Sequence, residues 1–124
     1  MAGGPAERDG ASSERPTEGD GYVALIEASA LGPGAMRSLE LAASRVLVCN
    51  VAGRFFAVED RCSHANVALA DGRLRGCILE CPLHGGKFDV RDGSVKSPPP
   101  LRPLATFDVR VREGRVEVRS PARG

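Results

Sequence analysis

The sequence predicts an all-β protein, built as a small antiparallel sandwich or barrel. Short apolar runs are separated by turn dipeptides, and the last part of the chain alternates apolar and charged residues. No stretch of ten or more residues shows the 3.6-residue period of a helix. At 124 residues the chain has the usual size of a single domain.

The first four strands are predicted from apolar runs and the turns between them. The Gly-Pro-Gly turn at 32–34 separates the runs YVALIEA and MRSLEL. The dipeptide Ala52-Gly53 lies between RVLVCNV and RFFAVED, so these two runs are predicted to form a hairpin.

The later strands follow the same logic. The turn dipeptides Asp71-Gly72 and Asp92-Gly93 enclose the runs RLRGCILEC and GKFDV. The last segment, LATFDVRVREGRVEVRS, is predicted to be a hairpin that turns at Glu113-Gly114. Its strict alternation predicts one face against the core and one face in water.

Composition divides the chain into a tail and a folded part. Residues 1–20 lack apolar periodicity and are predicted to be a disordered tail; they carry two arginines and five acids, namely Glu7, Asp9, Glu14, Glu18 and Asp20. The folded domain is expected to span 21–120, with a C-terminal tail at 121–124.

The same composition argues against several function classes. The basic residues are spread along predicted strands and aromatic residues are scarce, which does not favour nucleic-acid binding. No apolar run approaches the roughly 20 residues that span a bilayer, so no membrane association is expected. No export signal is visible at the N-terminus, so we expect a cytoplasmic protein.

The two histidines suggest a metal site. Each follows a cysteine, as Cys62-x-His64 and Cys81-x-x-His84, with sixteen residues between the pairs. Thiolate and imidazole bind both zinc and iron. The residues alone leave open a chance arrangement, a structural zinc site and an iron–sulfur cluster. In an extended chain, residues two apart lie about 6.6 Å from each other, which suits two metal atoms better than one zinc ion. A nucleophilic Cys-His enzyme is not supported, since no orienting third residue is evident.

These residues resemble the signature of the Rieske [2Fe–2S] family. The stretch CPLHGGKF is similar to the second cluster loop of that family, and SPPPLRP is similar to its proline-rich loop. The resemblance implies the Rieske fold, with a cluster-binding subdomain at one end of the barrel. It places the cluster loops at 60–67 and 80–88 and the proline loop at 97–103.

The resemblance also implies a cofactor and its ligands. One Rieske-type [2Fe–2S] cluster is expected per chain, with Cys62 and Cys81 on the inner iron and His64 and His84 on the outer iron. Gly85 and Gly86 would let backbone N–H groups approach the cluster sulfides. The remaining cysteines, Cys49 and Cys77, are expected to be small core residues rather than a disulfide.

The implied function is that of a ferredoxin in a bacterial aromatic-ring-hydroxylating system of the biphenyl or naphthalene dioxygenase type. The protein would be an electron carrier and not an enzyme. A monomer is expected, which accepts electrons from an NAD(P)H-dependent flavoprotein reductase and passes them to a terminal oxygenase. Two alternatives are a small Rieske-type subunit of a larger reductase such as nitrite reductase, and a zinc-stabilised binding module.

The chain departs from the high-potential members of the family. Asn66 or Val67 and Leu83 occupy the positions of their extra disulfide cysteines, and Gly86 and Phe88 replace their hydroxyl donors. A potential at the low end of the Rieske range is therefore expected.

The loop tips suggest a docking surface for redox partners. A small apolar patch is expected around the histidines, formed by Ala65, Val67, Pro82, Leu83 and Gly85.

Overall fold

The computed structural model describes residues 15–16, 21–42, 44–62, 67–83, 85–98 and 102–119. Within these ranges the chain forms two antiparallel sheets and two short 3₁₀ helices, at Ala28–Ala30 and Leu69–Asp71. The predicted all-β class is confirmed. The strands are β1 (Arg15–Pro16), β2 (Val23–Glu27), β3 (Met36–Leu41), β4 (Ser44–Val51), β5 (Arg54–Glu59), β6 (Arg73–Arg75), β7 (Ile78–Glu80), β8 (Lys87–Asp89), β9 (Val95–Ser97), β10 (Thr106–Arg112) and β11 (Arg115–Arg119).

The larger sheet is nearly closed into a barrel, with strand order β1-β2-β11-β10-β5-β4-β3. Both predicted hairpins are present: β4 pairs with β5, and β10 pairs with β11. The two residues of each turn, Ala52-Gly53 and Glu113-Gly114, have positive φ angles. Turns of this type match the right-handed twist of the strands and fix their register.

The smaller sheet has the order β6-β7-β8-β9 and forms a separate subdomain. Its register aligns Leu74, Leu79, Phe88 and Val95 in one cross-strand row. Leu79 and Phe88 are fully buried, and the row packs into the core beside Cys62. Strand β9 was not predicted as a strand, because VKS has little apolar character and leads directly into the prolines.

Strand β4 connects the two halves of the core. Val46 and Val48 pack into the barrel interior, while Leu47 and Cys49 pack against the smaller sheet. Successive residues of a strand point to opposite faces, so a strand covered on both faces reads as a continuous apolar run. This explains the run RVLVCNV, and it places β4 between the barrel interior and the smaller sheet.

One charged residue departs from the predicted alternation. Glu117 of β11 is buried, because the Arg110 Nε donates a hydrogen bond to its carboxylate at 2.6 Å. The Arg110 guanidinium also lies 3.9 Å from the centre of the Tyr22 ring. A cross-strand ion pair whose arginine stacks on an aromatic ring thus covers part of the face predicted to be solvated.

The chain termini are described only in part. Within the predicted tail 1–20, β1 pairs with β2 through Arg15↔Ala24 and Pro16↔Val23, and the rest of that range lies outside the described residues. The predicted tail 121–124 also lies outside them. Over the described part of the chain, no helix has the length and apolar character needed to cross a bilayer.

Gly72 provides a test of how the subdomain is packed. A Cβ built at Gly72 would overlap the carbonyl oxygen of Glu80, the residue before Cys81, whereas a Cβ at Gly32 would meet nothing within 4 Å. Overpacking of this kind costs about 1–3 kcal/mol. We expect Gly72→Ala to lose that much unfolding free energy in urea denaturation, while the control Gly32→Ala changes it by less than about 0.5 kcal/mol. Equal stabilities for the two variants would contradict the packing.

Asp89 provides a test of the turn between β8 and β9. Its carboxylate accepts hydrogen bonds from the Arg91 guanidinium at 2.7 and 3.0 Å and from the Arg91 backbone N–H at 2.9 Å. The side-chain hydrogen bond from Arg91 is the main cause that lowers the pKa of Asp89 to about 2. As pH falls below about 4, the unfolded chain takes up the proton first, so this stabilisation is present above pH 4 and lost towards pH 2.

We therefore expect Asp89→Asn to cost about 1–2 kcal/mol at pH 7, because Arg91 is partly exposed and its attraction is screened. The difference from the wild-type protein should shrink between pH 4 and pH 2, measured by urea denaturation followed by circular dichroism. Asp108→Asn, in an exposed pair with Arg119, is the control and should cost less than about 0.5 kcal/mol. A pH-independent difference would show that the carboxylate charge does not contribute.

Candidate metal centre

Cys62 lies in the first predicted cluster loop, just beyond the end of β5. Its backbone N–H donates to the carbonyl of Val67 at 3.0 Å, which joins the two described residues on either side of 63–66. The residue is 3% exposed and belongs to the core shared with the smaller sheet.

Cys81 lies in the second predicted loop, directly after β7. Its backbone N–H donates to the carbonyl of Gly86 at 2.7 Å. In both loops a cysteine N–H thus bonds the carbonyl five residues later, so the two loops are closed in the same way. Gly85 has a φ of +73°, a left-handed conformation that glycine adopts without strain.

The two loops bring the two thiols together. Cys62 and Cys81 are 3% and 1% exposed and belong to one buried cluster, and the Cys62 side chain lies close enough to help raise the pKa of the Cys81 thiol. The backbone N–H of Leu83 donates to the Cys81 Sγ at 3.4 Å. Leu69 and Phe88, both fully buried, belong to the same core cluster as the two cysteines. The site therefore consists of adjacent sulfur atoms in an apolar setting with a backbone donor beside one of them.

The electrostatics of this pair favour a bound cation. Burial raises the pKa of the Cys81 thiol, and the neighbouring Cys62 raises it further against the opposing effect of the Leu83 N–H. Two thiolates in contact within an apolar core need a positive charge between them. Iron or zinc supplies that charge and binds sulfur strongly, so the residues present fit a metal centre.

The predicted histidine ligands, His64 and His84, lie outside the described residues. Over the described ranges, no histidine, other cysteine or acid completes a metal-binding group of three residues with Cys62 and Cys81. Of the predicted docking patch, Pro82 and Leu83 are exposed, Val67 and Gly85 are half-buried, and Ala65 lies outside the described residues.

The other two cysteines have different surroundings. Cys49 is fully buried, as predicted, and burial together with the charge of Asp60 raises its pKa to about 12. Cys77 lies at the edge of the core, with its Sγ 3.8 Å from the Asp89 Oδ2. Both are free thiols in the structure.

One buried acid beside the site was not identified from the sequence. The Asp60 carboxylate accepts hydrogen bonds from the Ser38 hydroxyl and the Ala70 backbone N–H, 22 and 10 residues away along the chain. Since neither partner is close in sequence, no local pattern distinguishes Asp60 from a surface acid. The only available signal was its place two residues before a candidate ligand.

Comparison with known proteins identifies this architecture. Residues 21–108 match the family described as the Rieske [2Fe-2S] domain. The chain is 48% identical over 81 residues to the ferredoxin component of biphenyl 2,3-dioxygenase from Rhodococcus jostii RHA1, a match that covers 65% of this chain and 76% of the relative.

Solved structures agree with the sequence match. The ferredoxin of carbazole 1,9a-dioxygenase from Nocardioides aromaticivorans IC177 is 30% identical, with a TM-score of 0.77 over 80% of this chain and 97% of that one. A ferredoxin in the complex of reduced oxygenase and oxidised ferredoxin of carbazole 1,9a-dioxygenase is 38% identical, with a TM-score of 0.76 over 80% of this chain and 93% of that one.

These matches, together with the paired buried cysteines, identify both the cofactor and the class of protein. The chain is an electron carrier of the ferredoxin type with a Rieske-type [2Fe–2S] cluster, and it is not itself a catalytic component. It belongs to the Rieske [2Fe-2S] domain family.

Proposed function

We propose that Cys62, His64, Cys81 and His84 are the four ligands of one [2Fe–2S] cluster per chain. The burial of Cys62 and Cys81 side by side in one core cluster, at the start of two segments closed by the same kind of hydrogen bond, is the observation that carries this proposal. Each histidine lies two or three residues after one of these cysteines, so each loop would provide one thiolate and one imidazole.

The chain's own residues would control how an electron reaches the site. The cluster supplies one-electron oxidation and reduction when bound. Cys62 and Cys81 would hold it on the buried side, where Leu69, Leu79 and Phe88 exclude water. Replacing two thiolates by neutral imidazoles removes negative charge and raises the potential above that of all-cysteine ferredoxins.

The proline loop at 97–103 would cover the site from a third side. Its far end is fixed where the Leu104 backbone N–H donates to the carbonyl of Gly93 at 2.9 Å. A Cβ at Gly93 would overlap the Leu104 carbonyl, so this anchor leaves no space for a larger residue.

We further propose that the protein transfers electrons from an NAD(P)H-dependent flavoprotein reductase to a terminal Rieske oxygenase. The relatives named as ferredoxin components of dioxygenases support this role, and in the carbazole 1,9a-dioxygenase complex such a ferredoxin is bound to its oxygenase. On this proposal the domain spans 21–120, and the protein acts as a cytoplasmic monomer.

The docking patch has support in the exposure of one side chain. Leu83 is 40% exposed and Val111 is 50% exposed; over the described residues these are the two large apolar side chains open to solvent. Leu83 lies in the second cluster loop, between Cys81 and His84, whereas Val111 lies in β10 of the barrel. Small, weakly held interfaces are typical of redox encounters, and one exposed leucine beside the site suits such an encounter.

Substitution of the cysteines tests the ligand assignment. We expect Cys62→Ser and Cys81→Ser to lose the visible absorption of the cluster and most of their iron and acid-labile sulfide. Cys49→Ser and Cys77→Ser are matched controls in the same core and should retain two irons per chain. The assignment would be contradicted if Cys62→Ser and Cys81→Ser retained their iron, or if the wild-type protein contained a single zinc ion.

Substitution of Leu83 tests the docking patch. We expect Leu83→Asp to slow reduction of a cognate oxygenase at least several-fold in stopped-flow measurements, because a carboxylate at the contact must be desolvated. Its own visible spectrum should stay unchanged, since the Leu83 side chain is exposed to solvent. Val111→Asp is the matched control and should transfer electrons at the wild-type rate; an equal effect of both substitutions would place the contact elsewhere.

A further inference from the structure

Asp60 lies where the barrel meets the first cluster loop, directly after β5 and two residues before Cys62. Its side chain is 1% exposed. The Oδ1 accepts a hydrogen bond from the Ala70 backbone N–H at 2.8 Å, and the Oδ2 accepts one from the Ser38 hydroxyl at 2.6 Å. A buried carboxylate with a donor on each oxygen is a satisfied group that holds its neighbours in place.

These hydrogen bonds fix both ends of the first cluster loop. Ser38 belongs to β3 and Ala70 to the 3₁₀ helix that follows the loop, so one side chain links the barrel to the far end of the loop. The Asp60 backbone N–H also donates to the carbonyl of Arg45 in β4, at 3.0 Å. Asp60, two residues before Cys62, therefore links two barrel strands to Ala70.

The charge of Asp60 is only partly balanced. The Arg45 Nε lies 4.0 Å from the Oδ2. The Arg45 side chain is 58% exposed and also contacts Glu40 and Ser38, so water and a second acid weaken its attraction to Asp60.

The field of this carboxylate reaches the core that holds the cysteines. The charge of Asp60 contributes to the raised pKa of Cys49. Cys49 belongs to the same buried cluster of side chains as Cys62 and Cys81. The negative charge of Asp60 disfavours the thiolate form of Cys49. For the same reason it will disfavour an added electron on a cluster held in this core.

We propose that Asp60 is a positioning residue for the first cluster loop and that its negative charge lowers the reduction potential of the cluster. This inference rests on the proposed ligand set, because it requires the cluster to be bound at Cys62 and Cys81. The two effects are separable, since an asparagine removes the charge, can still accept from the Ala70 N–H through its Oδ1, and can donate from its Nδ2 to the Ser38 Oγ, which reverses the direction of that bond.

The test compares midpoint potentials of the cluster-loaded proteins by spectroelectrochemical titration. For Asp60→Asn we expect the ratio of reduced to oxidised protein at the wild-type midpoint to rise about tenfold, an upward shift of about 59 mV for a one-electron couple. Asp92→Asn is the matched control: Asp92 is exposed, and its side chain accepts a backbone hydrogen bond from Ser94 that asparagine can also accept. This control should leave the potential unchanged.

A substitution that removes a positive charge instead of a negative one keeps the test valid if Asp60→Asn does not fold. Arg45→Gln removes the exposed cation beside Asp60, so the same ratio should fall about twofold, a smaller effect because water screens this charge. Arg54→Gln, an exposed arginine in β5, should have no effect. The positioning role is tested by Asp60→Ala, which should release iron to a chelator several-fold faster than Asp60→Asn.

The outcomes distinguish this inference from the proposed function. A wild-type protein without iron would overturn both. If the wild-type protein carries the cluster but Asp60→Asn and Arg45→Gln both have the wild-type reduction potential, only the role of the Asp60 charge is overturned. Equal rates of iron release from Asp60→Ala and Asp60→Asn would overturn its positioning role.

Discussion

Contact between the thiols of Cys62 and Cys81 is the interaction on which the rest of the structure depends. Both sulfur atoms are buried at the end of the smaller sheet, and each is held in a loop closed by a hydrogen bond from the cysteine's own N–H. Two adjacent buried thiolates repel each other unless a cation lies between them. With the proposed ligand set, bound iron would supply that charge, and the cluster would be part of the folded core rather than an addition to its surface.

The barrel and the smaller sheet have different tasks in this arrangement. The barrel has its own core of aliphatic side chains and provides a stable base. Strand β4 is buried on both faces and joins this base to the subdomain that carries the second cluster loop. Asp60 adds a polar connection at the first loop, where the hydrogen bonds of Ser38 and Ala70 meet. Such an arrangement holds Cys62 and Cys81 against the barrel.

Sequence patterns predicted most of this fold, because the strands have distinct faces and the turns have distinct residues. The hairpins at Ala52-Gly53 and Glu113-Gly114 followed from local composition alone. The departures come from contacts between strands that the pattern of a single strand does not show: Glu117 is buried against Arg110 of β10, which stacks on Tyr22, and β9 forms because β8 provides its partner. The candidate site was predictable because ligand spacing is a local property. The role of Asp60 was not, since Ser38 and Ala70 are distant in sequence.

The central claim is that two cysteines and two histidines share one pair of irons. The chain contains two histidines, so growth on ¹⁵N-labelled histidine places label in His64 and His84 and nowhere else. Electron–nuclear double resonance of the reduced, labelled protein then measures directly whether these side chains bind the paramagnetic centre. We expect two distinct ¹⁵N couplings of the size produced by a direct iron–nitrogen bond. Only one such coupling, or none, in a protein that carries two irons and two sulfides would contradict the account.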